Sequence, residues 1–167
     1  MRVLGIDPGI ATVGFGFIDQ IGHRLVPVQY GCIRTRADAP AEERLRIIYD
    51  SVCSLMDKYR PDAVAVEILY FKKNVTNAFT VGQARGVMLL AAAQRGIPVG
   101  EYTPMQVKQA VAGYGGAEKK QMQEMVRMLL KLPVVPEPDD VADALAVAVC
   151  HAHTASLMFR LNGGTAR

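Results

Sequence analysis

The feature that most constrains this chain is a repeated one: a short apolar run closed by a carboxylate. Val3-Leu4-Gly5-Ile6 ends at Asp7, and Ala63-Val64-Ala65-Val66 ends at Glu67. Each run reads as a buried strand, and each acid is the first charge after it. Ligand sites in α/β sheets lie outside the carboxyl ends of the strands. If these two strands are adjacent and parallel, the two carboxylates converge there.

The rest of the chain predicts one α/β domain around them. Pro8-Gly9 is a turn. Residues 12–18 alternate Val13, Phe15 and Phe17 with Gly14 and Gly16, a period-two strand whose glycine face lets another backbone come close. Asp19-Gln20-Ile21-Gly22 turns the chain into a third strand over 24–33, and three hairpin-linked strands run antiparallel. Leu45, Ile48, Val52, Leu55, Met56 and Tyr59 recur at helical spacing, which predicts a helix over 41–59 that stops before Pro61. A second helix is expected over 78–94, with Gly96 as its stop signal. A strand follows at 99–102, and strand, helix, strand in that order imply a right-handed parallel crossover. Two shorter helices, 105–111 and 118–130, flank the hinge Gly113-Tyr114-Gly115-Gly116. The three prolines of 132–138 exclude regular structure there. A last helix begins at Asp139 or Asp140 and runs to about 161, leaving 162–167 as a flexible tail.

Composition excludes several classes. The 167 residues are 50% hydrophobic and 21% charged, a globular balance of single-domain size. Charges fall too early for a signal-peptide core, and the longest apolar run, 87–93, is far short of the roughly 20 residues that span a bilayer. Cys32, Cys53 and Cys150 offer neither zinc spacing nor a disulfide framework, so a cytoplasmic protein without a membrane partner is expected. The net charge is +3. Setting aside four of the 16 acids for a metal site leaves 19 basic against 12 acidic residues, a balance of +7. Such a surface suits a polyanion.

The third and fourth acids of that count are Asp140 and Asp143. They stand three apart at the start of the last helix, so they share a face, and Pro136 and Pro138 fix where the helix begins. Two carboxylates at about 4 Å repel by about 4 kcal/mol at an effective dielectric near 20. A cluster of four persists only with protons or cations in it. Oxygen ligands favour Mg2+ or Mn2+ over zinc, and two such ions about 3.5–4 Å apart can activate water and stabilise a leaving oxygen. Taken singly, Asp140 also reads as a helix cap, Asp143 as a first-turn acid and Asp7 as a turn residue; the combination points to a metal site. His151 and His153, two apart on a helix, face different ways and read as structural or surface residues.

Gly5-Ile6-Asp7-Pro8-Gly9 with Thr12-Val13-Gly14-Phe15-Gly16, then Glu67, Gly82-Gln83-Ala84-Arg85-Gly86, Gln106-Val107-Lys108-Gln109, Ala117-Glu118-Lys119 and Asp140-Val141-Ala142-Asp143-Ala144-Leu145-Ala146 together resemble the RuvC family of bacterial Holliday junction resolvases. The likeness covers nearly the whole chain, in order. It implies a ribonuclease H-like fold, a five-stranded mixed sheet with helices on both faces. It also implies a homodimer, paired Mg2+-dependent nicks across a four-way junction, and the RuvA-RuvB branch-migration complex as partner. By position, the resemblance makes Asp7, Glu67, Asp140 and Asp143 the metal ligands, with Asp139 adjacent to the third. It places Lys108 and Lys119 near the phosphate, and Tyr70 as an aromatic wedge. The family usually carries Phe there, and Phe71 follows directly, so either ring is a candidate.

The residues themselves add to this. Tyr70-Phe71-Lys72-Lys73 sets two rings beside two cations just past Glu67, a combination that can stack on bases and hold phosphates; a ring folded back into the core is the alternative. Lys119-Lys120 opens a helix, where acids are preferred, which favours phosphate contact. Gly82 and Gly86, four apart on one helix, permit close packing within the chain or across a dimer. Three rival readings remain: a ribonuclease H-like RNA-processing nuclease, an actin-like ATPase and a junction binder without catalysis. The chain is too short for the two domains of the second, and a mere DNA binder gains nothing from a negative pocket.

Overall fold

The computed structural model describes residues 1–68 and 75–161, with side chains described to 156 apart from those of 75–77. The segment 69–74, which holds Tyr70, Phe71, Lys72 and Lys73, and the expected tail at 162–167 lie outside the described residues. The elements run β1 (Arg2–Asp7), β2 (Thr12–Ile21), β3 (Arg24–Arg34), α1 (Ala41–Tyr59), β4 (Ala63–Glu67), α2 (Val75–Gln94), β5 (Val99–Tyr102), α3 (Pro104–Ala112), α4 (Lys119–Leu129) and α5 (Asp139–Leu161). Differences from the sequence reading are at ends. The β2–β3 hairpin is tighter than expected, because Asp19, Gln20 and Ile21 pair with Val26, Leu25 and Arg24 instead of turning. α2 begins three residues before the expected start at 78.

The five strands form one mixed sheet in the order β3-β2-β1-β4-β5. β1, β2 and β3 are antiparallel neighbours, and β4 is parallel to both β1 and β5. Side-chain alternation sorts the strands between two cores. Leu4, Ile6, Phe15, Phe17, Val64 and Val66 pack with Ile48, Val52 and Met56 of α1 and with Ala84, Met88 and Ala91 of α2. Val3, Ile18 and Ala65 pack on the opposite face with α3, α4 and α5. The three α1 residues are spaced by four, as one apolar helix stripe requires. Arg85 pairs with Glu101, tying α2 to the outer strand β5. Among the described residues no helix is long and apolar enough to cross a membrane.

Residues of α5 from Val141 to Cys150 are buried apart from Asp143, and the glycine face of the sheet explains how. A Cβ on Gly5 would lie 2.0 Å from the Ala144 carbonyl oxygen, one on Gly14 1.9 Å from that of Asp140, and one on Gly16 2.5 Å from Leu145 Cδ2. Only glycine lets a helix backbone settle this close to strands. Gly82 and Gly86 behave differently: among the described residues a Cβ at either would meet nothing within 4 Å. Among the described residues, neither therefore meets the close packing within the chain that the first of the two readings given for them expects.

Candidate active site

Asp7 and Glu67 are the last residues of β1 and β4. The parallel register aligns Ile6 with Val66, so the next residue of each strand emerges at the same end of the sheet. Alternation places Asp7 on the face of Val3 and Gly5, and Glu67 on the face of Ala65. That face belongs to α5. Gly14 stands opposite Asp7 in the β1–β2 register, and the Asp140 backbone rests on Gly14. The first turn of α5 is thereby set beside Asp7.

The second wall comes from α3. β5 ends at Tyr102, level with Glu67, and Thr103 caps the helix that follows. Thr103 Oγ1 accepts from the Gln106 N–H at 3.2 Å, and Gln106 Oε1 accepts from the Thr103 N–H at 2.8 Å. This reciprocal capping box, with Pro104 at the first turn, starts α3 directly at the strand end. Lys108 is then brought to the cleft. The signal was available in Thr103-Pro104-Met105-Gln106 and went unread.

The cleft is a cavity of about 210 Å3 lined by Asp7, Glu67, Asp143, Lys108 and Lys119, with an apolar wall that includes Val107, Met122 and Val147. Burial is the main reason that the Asp7 carboxyl is pushed up to about 8; the charges of Asp143, Asp140 and Glu67 add to this, and Lys119 opposes it. Glu67 is raised by burial and then by Asp143, with Lys108 opposing. Asp143 is raised by burial against the pull of Lys119. The Lys119 ammonium lies 2.8 Å from Asp139 Oδ2 and 3.6 Å from Asp143 Oδ2. Asp140 is half-buried and does not line the cavity, but its charge reaches both Asp7 and Asp143. Lys120 is exposed beside Lys119 and also lies off the cavity. His151 bonds through Nδ1 to the Tyr102 hydroxyl at 2.9 Å, and His153 Nδ1 lies 3.1 Å from the Ala110 carbonyl oxygen, the structural places expected for them.

Among the described residues no three acids stand close enough, as placed, to enclose an ion. The donor set nevertheless suits one. Four carboxylates surround one end of the sheet, and three of them raise the proton affinity of the fourth. Beside burial, the charges of those three acids raise Asp7, an excess of negative potential that a proton or a cation relieves. Oxygen donors alone favour a hard divalent ion.

Gln123 was missed as a neighbour of this cluster, and so was the pairing of Asp139 with Lys119. Gln123 donates through Nε2 to Asp139 Oδ1 at 2.8 Å, and Asp139 pairs with Lys119. Lys119 and Gln123 are four apart on α4 and so share a face, which the sequence did carry.

A mixed five-stranded sheet with acids gathered at the ends of neighbouring parallel strands, and on a helix laid across them, defines the ribonuclease H-like class. The family model for crossover junction endodeoxyribonuclease RuvC matches residues 3–151, and the chain belongs to that family. A Brevibacillus brevis crossover junction endodeoxyribonuclease RuvC is 64% identical over 152 residues, covering 91% of this chain and 92% of that protein. The Desulfitobacterium hafniense protein of the same name is 57% identical over 163 residues, 98% of this chain and 99% of the relative. Among solved structures, Thermus thermophilus RuvC in complex with a Holliday junction substrate superimposes with a TM-score of 0.91 at 42% identity, covering 95% of this chain and 96% of that one.

Proposed function

We propose that this chain is a structure-selective endodeoxyribonuclease that resolves four-way DNA junctions. It hydrolyses phosphodiester bonds in paired, symmetric nicks during recombination and repair, in the cytoplasm. The observation that carries the reading is the cleft itself: half-buried, mutually repelling acids on its floor and two lysines at its edge. A surface that only bound DNA would avoid that negative floor. The solved junction complex of the Thermus thermophilus relative supports the same substrate class.

In this reading Asp7, Glu67, Asp140 and Asp143 hold divalent cations, two Mg2+ with Mn2+ able to substitute. When bound, they would supply an activated water and stabilise charge on the leaving oxygen. The chain's own groups do the rest. Lys108 and Lys119 hold the non-bridging oxygens of the scissile phosphate. Val107, Met122 and Val147 keep one side of the cleft dry, which strengthens each ionic contact within it. Lys72, Lys73 and Lys120 bind flanking phosphates, and Tyr70 or Phe71 fills the gap where bases unstack at the crossover.

A four-way junction has two-fold related strands, and one chain carries one such cleft, so a homodimer provides paired cuts. α2 offers a face for it. Phe79 and Leu90 are 69% and 50% exposed, and the exposed Gly82 and Gly86 lie between them. Spacings of three and four put all of these on one side of the helix, and two bare glycines let a second backbone approach. The RuvA-RuvB complex is the partner that family membership suggests. The test of the whole reading is a substrate panel: with Mg2+, labelled four-way junction should be cut at symmetric positions in preference to linear duplex, flap and RNA–DNA hybrid. Equal cutting of linear duplex, or cutting of the hybrid alone, would overturn it.

A further inference from the structure

Asp139 immediately precedes the acids assigned to the cations, and its surroundings differ from theirs. Both of its oxygens are already engaged. Oδ2 meets the Lys119 ammonium at 2.8 Å, and Oδ1 accepts from Gln123 Nε2 at 2.8 Å. Its side chain is open to solvent, 59% exposed, and it does not line the cleft. Lys119 does line the cleft, and its other acidic neighbour is Asp143 at 3.6 Å. The ammonium is thus shared between an outer carboxylate and an inner one, and it sits nearer the outer.

We propose that Asp139 is a positioning residue for Lys119: this ion pair, braced by Gln123, holds the ammonium at the rim and keeps it from closing onto Asp143. The inference rests on the reading that Asp143 is a cation ligand. Its physical basis is competition. An ammonium and a divalent ion seek the same carboxylate oxygens, and the less solvated position of Asp143 strengthens any pair formed there. Asp139 offers Lys119 an alternative anion at shorter range. Gln123 fixes that anion from the same helix face that carries the lysine, so α4 supplies both the cation and the brace for its partner. Without Asp139, Asp143 is the next carboxylate within reach of the ammonium, and a cation has to displace it. A second consequence follows for substrate: an ammonium held at the rim is available to a phosphate approaching from solvent.

Divalent-ion binding measures this without relying on cleavage. Free Mn2+ is followed by electron paramagnetic resonance while it is titrated into the parent, Asp139→Asn, Lys119→Met and the double variant. Each protein is first matched by melting temperature. Asparagine keeps the oxygen that accepts from Gln123 and removes only the charge. Exposed ion pairs are worth up to about 1 kcal/mol, so Asp139→Asn should weaken Mn2+ binding about two- to fivefold. In the Lys119→Met background the same substitution should change nothing. Equal weakening in both backgrounds would show that Asp139 acts on the ion directly by charge, and unchanged binding in the single variant would show that it does not position Lys119; either overturns the proposal. A parent that binds no Mn2+ would overturn the metal reading and this inference with it.

Discussion

Gly14→Ala is the sharpest perturbation that the structure offers, because it adds one methyl group and changes no charge. The new Cβ would lie 1.9 Å from the Asp140 carbonyl oxygen and 2.3 Å from its carbonyl carbon. Real Cβ atoms essentially never approach other atoms more closely than 3.0 Å, so the start of α5 must move by about an ångström or more. The obstacle is backbone, which no rotamer change relieves. Overpacking of this kind costs about 1–3 kcal/mol, which for a chain of this size lowers the melting temperature by roughly 3–10 °C. The larger effect is on chemistry. Asp140 and Asp143 ride on the helix that moves, whereas Asp7 and Glu67 stay with the sheet. A misplacement of about 1 Å in a reacting constellation can reduce the rate about 100-fold. Single-turnover cleavage of a four-way junction, beside a thermal melt and a binding titration, reads all three quantities. The expected pattern is a folded, junction-binding protein with cleavage reduced far beyond what its stability loss explains. A Gly14→Ala protein that melts with the parent and cleaves within twofold of it would refute the argument that this glycine sets the acids in register.

Further predictions follow from the same site. Asp7→Asn should abolish cleavage and leave junction binding intact, because in the proposed reading it removes a metal ligand and no DNA contact; full activity in that variant, or activity unchanged by EDTA, contradicts the proposed metal site. The same substitution should alter stability in a pH-dependent way. The folded-state value for Asp7 is raised from 3.8 to about 8, so the folded protein holds this proton more tightly than the unfolded chain does. The resulting stabilisation is complete below the ordinary carboxylate range and is lost as pH rises through about 8. In EDTA the parent should therefore lose melting temperature relative to Asp7→Asn across that window, and parallel curves would refute the assignment. Leu90→Glu should turn a dimer into a monomer by light scattering and replace paired nicks with single ones; a parent that is already monomeric and still cuts in pairs disproves the α2 interface. Tyr70→Ala or Phe71→Ala should slow cleavage more than it weakens binding, whereas Lys72→Ala and Lys73→Ala should weaken binding and flatten its salt dependence. If both aromatic variants cleave at the parent rate, neither ring is a wedge.

Much of the architecture was legible in the residues because it depends on local periodicity and on where charge interrupts it. Alternation gave β2, helical spacing gave α1, and the two apolar runs ending at Asp7 and Glu67 gave the strands that are neighbours and parallel. The glycine face of β2 announced a close backbone approach, and α5 makes it. Element ends were less legible, since helix and strand termini depend on hydrogen bonds that periodicity does not report. The strand pairing of Asp19 to Ile21 is one such case; the Thr103–Gln106 capping box differs, because its residue types are themselves a sequence signal.

What the sequence determined by itself is therefore the set of acids, the strands and helix that carry them, and the need for positive charge nearby. These follow from residue type and spacing along one element. Tertiary structure alone decided how they meet. It put Asp7 and Glu67 on the α5 face and not the α1 face, laid the Asp140 backbone on Gly14, brought Lys108 across from α3, and divided Lys119 between Asp139 and Asp143. The physical reason is that each of these is a contact between elements distant in sequence. Their geometry is fixed by which backbones pack together; a local pattern such as the glycines of β2 announces that a backbone can come close but not which one. The proton affinity of Asp7 belongs to the same group, because burial and the charges of three distant acids set it, and neither exists until the chain has folded.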